Sequence, residues 1–225
     1  FPASSLCFGT MQFGGKSSFY ESNAIYQNCR DSGINFFDTA HVYNEGKSEE
    51  FLGSVSASER ENIIIATKAA YDCPATKKNI LTSFDESRKR LKSDFVDSLY
   101  MHRWDNHVTL EETLTGLAEL KQQGLIRYIG VSNYSAWQTM KAQAICHNLN
   151  ISIDVIQPMY SLVKRQAEVE ILPMALSEKI SVCPYSPLGG GLLTGKYHQG
   201  DTGRLTEDQR YKKRYSLEWM HNCLV

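Results

Sequence analysis

The sequence lacks the features that would mark a membrane-spanning or nucleic-acid-binding chain. No apolar run approaches the roughly 18 residues of a membrane-spanning helix, so we expect no membrane insertion. The sequence also has no excess of charge of one sign, because its 24 Lys and Arg are balanced by 25 Asp and Glu. This balance gives no positive field that would attract nucleic acid. The 225 residues begin without Met and without the charged-then-apolar pattern of a signal peptide.

Paired cysteines are absent as well. The six cysteines are widely scattered, with no C-x-x-C pair and no matching histidine spacing. In a chain of this size the pattern disfavours both a disulfide framework and a zinc site. We therefore expect no bound metal, and free thiols in a reducing, cytoplasmic compartment. The cysteines are Cys7, Cys29, Cys73, Cys146, Cys183 and Cys223.

What the sequence does contain is a regular alternation of short β-type runs and longer helical segments. The runs are rich in Ile, Val, Phe and Tyr and nearly continuous in their hydrophobicity, which is typical of strands buried on both faces. Seven such strands are predicted, at residues 5–9, 34–38, 63–68, 97–102, 127–132, 155–157 and 181–186.

Helix boundaries are marked between these strands. Ser18-x-x-Glu21 and Thr109-x-x-Glu112 have the spacing of capping boxes. Gly33 and Gly124 each stand where the C-terminal cap of a predicted helix is expected. Apolar residues at helical spacing predict faces packed on a sheet. These residues are Leu110, Leu114 and Leu117 in one helix, and Ile80, Phe84 and Leu91 in another.

The spacing of the strands narrows the fold class. The predicted strands end at intervals of 25 to 34 residues, and each interval is about the length of one strand–helix unit. Strict alternation of this kind leaves a doubly wound open sheet or a (β/α)8 barrel. A doubly wound dinucleotide-binding sheet should carry G-x-G-x-x-G after its first strand, and Gly14-Gly15 does not match that spacing. We therefore predict an α/β fold of the (β/α)8 barrel type, with seven units visible in a single domain.

Polar side chains follow the predicted strands at their carboxyl ends. Any one of them would more often be a loop anchor or a surface charge than a catalyst. In a barrel, however, all strand ends open onto one mouth, where catalytic groups are placed. The sequence therefore predicts a functional site there. The side chains are Thr10, Asp38 with Tyr43, Lys68, His102, Ser132 with Asn133, Gln157, and Tyr185 with Ser186.

Four of these residues form a coherent chemical set. A tyrosine phenol, such as that of Tyr43, is too weak an acid for efficient proton donation near neutral pH unless it is tuned. An ammonium such as Lys68 stabilises tyrosinate, and a carboxylate such as Asp38 keeps the ammonium charged and oriented. A histidine such as His102 can orient a carbonyl oxygen by a hydrogen bond. The set suits protonation of a carbonyl oxygen while hydride arrives at its carbon, which requires a nicotinamide cofactor.

The motifs around these residues resemble those of the aldo-keto reductase superfamily, in its bacterial and potassium-channel β-subunit-like branches. Residues 35–43 (NFFDTAHVY), with Gly46 and Ser48-Glu49 after them, resemble the signature of that superfamily. Further blocks match in order over essentially residues 6–197. They are 65–68 (IATK), 99–105 (LYMHRWD), 124–133 (GLIRYIGVSN), 157–162 (QPMYSL), 185–188 (YSPL) and 191–197 (GLLTGKY).

The resemblance implies an NADP(H)-dependent carbonyl reductase that acts on a small-molecule aldehyde or ketone. By motif match, Tyr43 is the general acid, Lys68 and Asp38 tune it, and His102 orients the substrate. Asp38 also counts among the residues expected to line the cofactor site. The other expected cofactor contacts are Thr10, Ser132, Asn133, Gln157, Tyr185, Ser186, Pro187, Leu188, Gly190, Lys196 and Arg204.

Other features allow two interpretations each. Gly189-Gly190-Gly191 could be a flexible linker, although its place after a strand favours a phosphate loop. The basic stretch at 196–214 fits a solvated loop as well as a lid over an anionic cofactor, so 189–215 is a candidate cofactor-covering loop. Met11, Tyr71 and Trp104 follow strand ends and could wall an apolar substrate pocket rather than serve ordinary packing.

Two other functions remain compatible with the sequence. One is a nucleotide-binding regulatory or redox-sensing subunit of the channel β-subunit kind, with little turnover. The other is a barrel lyase or isomerase that uses Lys68 as a Schiff base. These motifs specify neither the physiological substrate nor an oligomeric state.

The length itself fits a partial barrel. Barrels of this type run to about 250 residues or more, and seven units leave one strand–helix pair unsupplied. The family's N-terminal hairpin would precede Phe1, and its segment for the adenosine 2′-phosphate would follow Val225. We therefore predict a truncated or partial form of a longer protein, with the eighth unit and the hairpin absent from this chain.

Overall fold

The computed structural model describes residues 2–222, in which strands and helices alternate along the chain. The chain divides into two compact units, Phe1–Ile156 and Gln157–Val225. We call them unit 1 and unit 2. Among the described residues, no helix is both long enough and apolar enough to cross a bilayer.

Unit 1 is built from parallel strands joined by helices. Its strands are β1 (Cys7–Gly9), β2 (Phe36–Asp38), β3 (Ile64–Ala69), β4 (Val96–Met101) and β5 (Ile126–Ser132). Its helices are α1 (Phe19–Asp31), α2 (Lys47–Ser56), α3 (Lys77–Arg90), α4 (Leu110–Gln122) and α5 (Ala136–Asn148). Two short 3₁₀ segments, Tyr43–Gly46 and Ala57–Asn62, flank α2.

The strands of unit 1 pair in sequence order, each parallel to the next. The register places Gly9 opposite Asp38 and Lys68 opposite Tyr100. Tyr100 in turn pairs with Gly130, whose missing side chain is required here. A Cβ on Gly130 would lie 2.3 Å from the Tyr100 ring. The carboxyl ends of the five strands therefore share one edge of the sheet.

The predicted helix faces are buried. Leu114 and Leu117 of α4 are 1% and 0% exposed, and Ile80 and Phe84 of α3 are equally inaccessible. These faces remove apolar area from water, at roughly 25 cal/mol per Å², and so stabilise the unit. Leu91, predicted with the α3 face, is also buried but stands just beyond the helix as its C-cap.

The helix ends confirm most of the predicted caps. Ser18 and Glu21 form a complete capping box at α1, and Gly33 and Gly124 follow their helices with positive φ. The box predicted at Thr109 is half correct. Its hydroxyl accepts a hydrogen bond from the Glu112 backbone, but the Glu112 carboxylate accepts one from the backbone N–H of Lys77 instead.

The amino-terminal side of the sheet is held by a buried carboxylate. Asp97, at the start of β4, is 2% exposed and accepts hydrogen bonds from Arg60 and Arg127, each at 2.9 Å. It also accepts one from the backbone N–H of Ile65 at 2.9 Å. Both guanidinium groups lie over the Phe95 ring, at 4.2 and 4.4 Å from its centroid. This cluster joins β3, β4 and β5 away from their carboxyl ends.

Unit 2 continues the alternation. Its strands are β6 (Val155–Gln157), which begins in the last residues of unit 1, and β7 (Ser181–Val182). Its helices are α6 (Ile171–Glu178), α7 (Arg204–Glu207), α8 (Gln209–Arg214) and α9 (Glu218–Asn222). The 3₁₀ segments are Gln166–Glu168, Gly189–Thr194 and Lys196–Gln199. A buried cluster of Val163, Leu192, Leu205, Tyr215 and Met220 forms its apolar centre.

The strand predictions are close, with one clear correction. β6 has the predicted bounds, and β1 to β5 lie within about two residues of theirs at each end. β7, predicted at 181–186, ends at Val182, although beyond it the Tyr185 N–H still donates to the Pro158 carbonyl oxygen at 2.9 Å. Tyr185 makes only an isolated bridge to Met159. The five described cysteines form no disulfide; Cys223 lies outside the described residues.

Candidate active site

The first four parallel strands of unit 1 bring four of the predicted polar residues to one edge. Asp38 ends β2 and Lys68 lies near the end of β3. His102 directly follows β4, and Tyr43 begins the 3₁₀ segment that leads from β2 to α2. The in-register pairing of the strands explains why these residues, far apart in sequence, lie together.

Lys68 and Asp38 form a buried ion pair. The Lys68 ammonium is 1% exposed and donates hydrogen bonds to the Asp38 carboxylate and, at 2.8 Å, to the Thr39 carbonyl oxygen. Burial disfavours the charge on this ammonium, but the nearby Asp38 and Tyr43 more than offset that cost. As a result the pKa of Lys68 lies above its ordinary value, and the amine stays protonated.

The Tyr43 ring lies near both this cation and the histidine. The Lys68 ammonium is 5.1 Å from the Tyr43 ring centroid. The ring centroids of Tyr43 and His102 are 5.8 Å apart, with an interplanar angle of 81°. Asp38, Tyr43, Lys68 and His102 therefore form one physical cluster in the structure. We call these four residues the tetrad.

His102 is neutral in this environment. Burial, reinforced by the positive charges of Lys68 and Arg103, lowers the pKa of His102 to about 3. Its Nδ1 atom is buried and has no hydrogen-bond partner in the part of the chain that the structure describes. The neutral imidazole can donate or accept a hydrogen bond according to its tautomer, but it cannot act as a cation near pH 7.

The backbone that carries Tyr43 has an unusual conformation. Asn44 and Glu45 have φ angles of 51° and 58°, and Gly46 follows with 89°. Successive non-glycine residues in this region are costly and persist only where the surroundings fix them. The Asn44 side-chain amide supplies one such restraint, because it donates hydrogen bonds to the carbonyl oxygens of Met11 and Phe13 at 2.8 Å each.

Thr10 and Asn133, both predicted to contact cofactor, make hydrogen bonds next to the tetrad. The buried Thr10 hydroxyl donates to the Asp38 carbonyl oxygen at 3.0 Å and lies 2.9 Å from the Ser48 hydroxyl. The Asn133 amide donates to the His102 carbonyl oxygen at 3.0 Å and to the Ser132 hydroxyl at 3.1 Å. These contacts fix the backbone of two catalytic candidates.

The predicted substrate-pocket residues have different neighbours. The Tyr71 ring is 43% exposed and packs on His102, with centroids 4.7 Å apart. Trp104 packs with Tyr134 at 5.1 Å and with Trp137 at 5.6 Å. Met11 contributes its carbonyl oxygen to Asn44. Tyr71 thus packs on a ring of the tetrad, whereas Trp104 belongs to an aromatic cluster that includes Trp137, a residue the sequence did not single out.

The remaining predicted cofactor residues lie in unit 2. Gln157 ends β6, and the Tyr185 backbone pairs with Pro158 and Tyr160. Ser186, Gly189, Gly190 and Gly191 all have positive φ, so the segment after β7 is a series of tight turns. Pro187 and Leu188 lie within it, and Leu188 is 55% exposed.

Two of the predicted cofactor contacts in unit 2 are cations that lie beside tyrosines. Arg204 lies over the Tyr211 ring at 5.3 Å and donates to its hydroxyl at 3.3 Å. The Lys196 ammonium is 5.1 Å from the Tyr197 ring centroid. In residues 2–222 no carboxylate pairs with either cation within 4.0 Å. One ion pair of this stretch joins Arg210 to Asp208.

Two residues with a structural connection to the site had no assigned role at the sequence level. Glu49 is completely buried and accepts a hydrogen bond from Thr67, the neighbour of Lys68, at 2.6 Å. Arg90, the last residue of α3, contacts both Glu49 and the loop that carries Tyr43. Glu49 stands within the matched signature, so the motif signalled its importance, whereas nothing in the sequence marks Arg90.

Comparison with known proteins shows the class. The sequence matches the model of the aldo/keto reductase family over residues 5–224, nearly its entire length. The chain therefore belongs to the aldo/keto reductase family. Its alternating strands and helices are those of the (β/α)8 barrel of that family, with seven strand–helix units in residues 2–222.

Individual relatives differ in their described roles. The chain is 36% identical to a probable voltage-gated potassium channel subunit beta of Arabidopsis thaliana, over 88% of this chain and 64% of that protein. It is 34% identical to an L-glyceraldehyde 3-phosphate reductase of Escherichia coli O157:H7, over 88% and 60%. It is 36% identical to an aflatoxin B1 aldehyde reductase of Rattus norvegicus, over 86% and 54%. The chain thus spans somewhat more than half the length of these relatives.

Proposed function

We propose that the protein is an NADP(H)-dependent oxidoreductase that reduces aldehydes or ketones to alcohols. The observation that carries this proposal is the buried Lys68–Asp38 pair beside the rings of Tyr43 and His102. Reductase-named relatives at 34–36% identity support the same chemistry.

Tyr43 is the proposed proton donor. When its hydroxyl gives a proton to a carbonyl oxygen, it becomes a phenolate, whose charge the Lys68 ammonium stabilises. Asp38 keeps that ammonium oriented and charged in a buried site, where the electrostatic interaction is stronger than in water. The cation can therefore help the phenol to act as an acid near neutral pH.

His102 is proposed to orient the substrate. Because its imidazole is neutral, it can hold a carbonyl oxygen by a hydrogen bond without competing with Tyr43 for the role of acid. The Asn133 amide fixes the His102 backbone, and the Tyr71 ring packs on its side chain. Tyr71, with Met11 and Trp104, would wall the substrate pocket for a small carbonyl compound.

The donor groups of the chain fit a nicotinamide dinucleotide. When bound, the cofactor supplies hydride to the carbonyl carbon, a reaction for which no side chain is equipped. The proposed holders of its carboxamide are Ser132, Asn133 and Gln157, whose hydroxyl and amide groups match it in kind. Thr10 and Asp38 are proposed to lie beside the nicotinamide end of the cofactor.

Unit 2 is proposed to hold the rest of the cofactor. Lys196 and Arg204 have no carboxylate within ion-pair distance among the described residues, which suits them to phosphate oxygens. The turn backbone around Ser186 and Gly190, with positive φ, can present N–H groups to phosphate. Tyr185 is proposed to stack on the nicotinamide, with Pro187 and Leu188 along the pyrophosphate path, and residues 189–215 are proposed to cover the cofactor.

The experiment is to follow the loss of NADPH absorbance at 340 nm with 4-nitrobenzaldehyde as the substrate. We expect turnover by the wild type and a loss of about 10²-fold or more in Tyr43→Phe, because that variant lacks the donated proton. Tyr20→Phe is the matched control, since Tyr20 is 86% exposed. Full activity of Tyr43→Phe would contradict the proposed proton donor.

A second candidate is a nucleotide-binding regulatory subunit with little turnover. It is favoured by the 36% identity to the plant protein described as a probable potassium channel subunit beta. Tight NADPH binding, measured by quenching of tryptophan fluorescence, without detectable turnover of a panel of aldehydes would support it. A Schiff-base mechanism on Lys68 is disfavoured, because it requires a neutral amine and this one is held protonated.

A further inference from the structure

The loop that carries Tyr43, residues 41–46, is contacted at both ends by one side chain of α3. Arg90 donates a hydrogen bond from its guanidinium to the carbonyl oxygen of His41 at 3.1 Å. The same guanidinium lies against Gly46, where an added Cβ would be 2.5 Å from its central carbon. One planar cation therefore spans the Tyr43 loop from its first residue to its last.

Arg90 is itself held by a buried carboxylate. Glu49 of α2 is 0% exposed, and one of its oxygens lies 3.3 Å from the Arg90 guanidinium. Its other oxygen accepts a hydrogen bond from the Thr67 hydroxyl at 2.6 Å. Thr67 precedes Lys68 in β3, so a single carboxylate connects the strand of Lys68 to the cation that holds the loop of Tyr43.

The loop needs such a support. Asn44, Glu45 and Gly46 lie consecutively at positive φ, a conformation that non-glycine residues adopt only when other contacts fix it. Its amino-terminal end is tied to β3, because the His41 N–H donates to the Lys68 carbonyl oxygen at 3.1 Å. Asn44 ties its middle to the segment after β1. Arg90 adds the contact that reaches both ends.

We infer that Glu49 and Arg90 are positioning residues that fix the Tyr43 loop against the strand of Lys68, and so set the alignment of phenol and ammonium. Neither side chain needs to touch the substrate, since each acts through the backbone of a catalytic candidate. The expected effect of these two residues on turnover rests on the proposed function. Their expected effect on the conformation of the loop does not depend on that function. Misplacement of a catalytic group by about 1 Å can reduce turnover about 10²-fold.

The principal test replaces Arg90 by Met in the protein that carries this chain, with Arg88→Met as the matched control. Arg88 lies on the same helix but pairs with the exposed Asp85 and does not contact the loop. In Arg90→Met we expect kcat to fall about 10²-fold with KM for the aldehyde nearly unchanged. Hydrogen exchange, read by mass spectrometry on peptides covering 41–46, should become faster. Arg88→Met should change neither measurement.

Two further variants separate positioning from simple stabilisation. Arg90→Met leaves the Glu49 carboxylate buried without its cation, which can unfold the protein. The double variant Glu49→Gln/Arg90→Met removes both charges and so avoids this buried, unpaired charge. Arg90→Lys keeps the charge but cannot reproduce the planar contact with His41 and Gly46. We expect Arg90→Lys to recover the melting temperature without recovering kcat or the slow exchange of the loop.

The proposal is wrong if the folded double variant keeps wild-type kcat and wild-type exchange of the loop. It is equally wrong if Arg90→Lys recovers kcat together with stability, because that result would mean that charge compensation alone matters. Failure of the reductase function would appear separately, as absence of wild-type turnover. The exchange measurement would then still test whether Arg90 and Glu49 fix the loop.

Discussion

The Lys68 ammonium is bound to the Asp38 carboxylate across two neighbouring parallel strands, and water reaches hardly any of the ammonium. A buried ion pair of this kind is costly to form, and removing one partner leaves the other charge uncompensated. At the carboxyl ends of β2 and β3 this protonated amine lies beside the phenol ring of Tyr43, the group that we propose it serves.

Replacement of Asp38 by Asn should affect both stability and turnover. We expect the free energy of unfolding to fall by about 3–5 kcal/mol, because Lys68 keeps a buried charge without its partner. Turnover should fall with it, since the ammonium loses its orientation toward Tyr43. Urea unfolding followed by circular dichroism gives the first quantity. Asp85→Asn, which removes exposed pairs with Arg88 and Lys89, should behave like the wild type.

His102 should make the protein sensitive to acid. An unfolded chain protonates histidine near pH 6.5, whereas burial holds the pKa of His102 at about 3 in the folded state. The unfolded state therefore binds more protons between these values, and stability falls as the pH decreases through that window. Between pH 7 and pH 4, the wild type should lose about 3 kcal/mol more than His102→Gln.

The control for this pH dependence is His147→Gln, because His147 is an exposed residue of α5. Unfolding by urea at a series of pH values measures all three proteins on the same scale. Parallel stability curves for the wild type and His102→Gln would show that the imidazole of His102 is not held neutral.

Gly130 should tolerate no side chain. An added Cβ would lie 2.3 Å from the Tyr100 ring, and both residues stand in central strands with little room to move. We expect Gly130→Ala to reduce the free energy of unfolding by about 1–3 kcal/mol through overpacking. Gly9→Ala is the matched control, because Gly9 also lies in a strand but has nothing within 4 Å of an added Cβ. Equal stabilities of the two variants would refute the packing argument.

Lys196 should contribute to cofactor binding through its charge. Loss of one charge-assisted contact to phosphate costs about 1.5–3 kcal/mol, so Lys196→Met should raise the dissociation constant of NADPH about 10-fold or more. Lys212→Met, at an exposed position of α8, is the control. Fluorescence titration at two salt concentrations measures the effect, which should shrink as salt screens the phosphate. Unchanged affinity in Lys196→Met would remove this residue from the proposed cofactor site.

Much of this architecture could be predicted from the sequence because periodicity and caps are local signals. The five strands of unit 1, the capping box at Ser18 and the glycine caps at Gly33 and Gly124 follow from nearby residues alone. β7 is shorter than predicted: it ends at Val182, and beyond it the chain makes only an isolated bridge at Tyr185. The Glu112 carboxylate was misassigned because its partner, the Lys77 backbone, is 35 residues away in sequence.

In the candidate site, too, some features could be predicted from the sequence and others could not. Asp38, Tyr43, Lys68 and His102 could be predicted because strand ends converge in a barrel and because their motifs match a family. Arg90 could not, since its role depends on where the end of α3 falls relative to a loop some 45 residues earlier. The neutral state of His102 was equally hidden, because it depends on burial and on the charges packed around it.

The position of Asp97 has an evolutionary consequence. Its bonds to Arg60, Arg127 and the backbone of Ile65 join three strands at the end of the sheet opposite to the tetrad. This restraint on the strands thus lies at the end of the sheet opposite to the proposed reactive groups. Loops that follow the strands can diverge toward new substrates while the Asp97 cluster still joins the three strands. Such separation gives a lineage room to change its chemistry without losing a scaffold that still assembles.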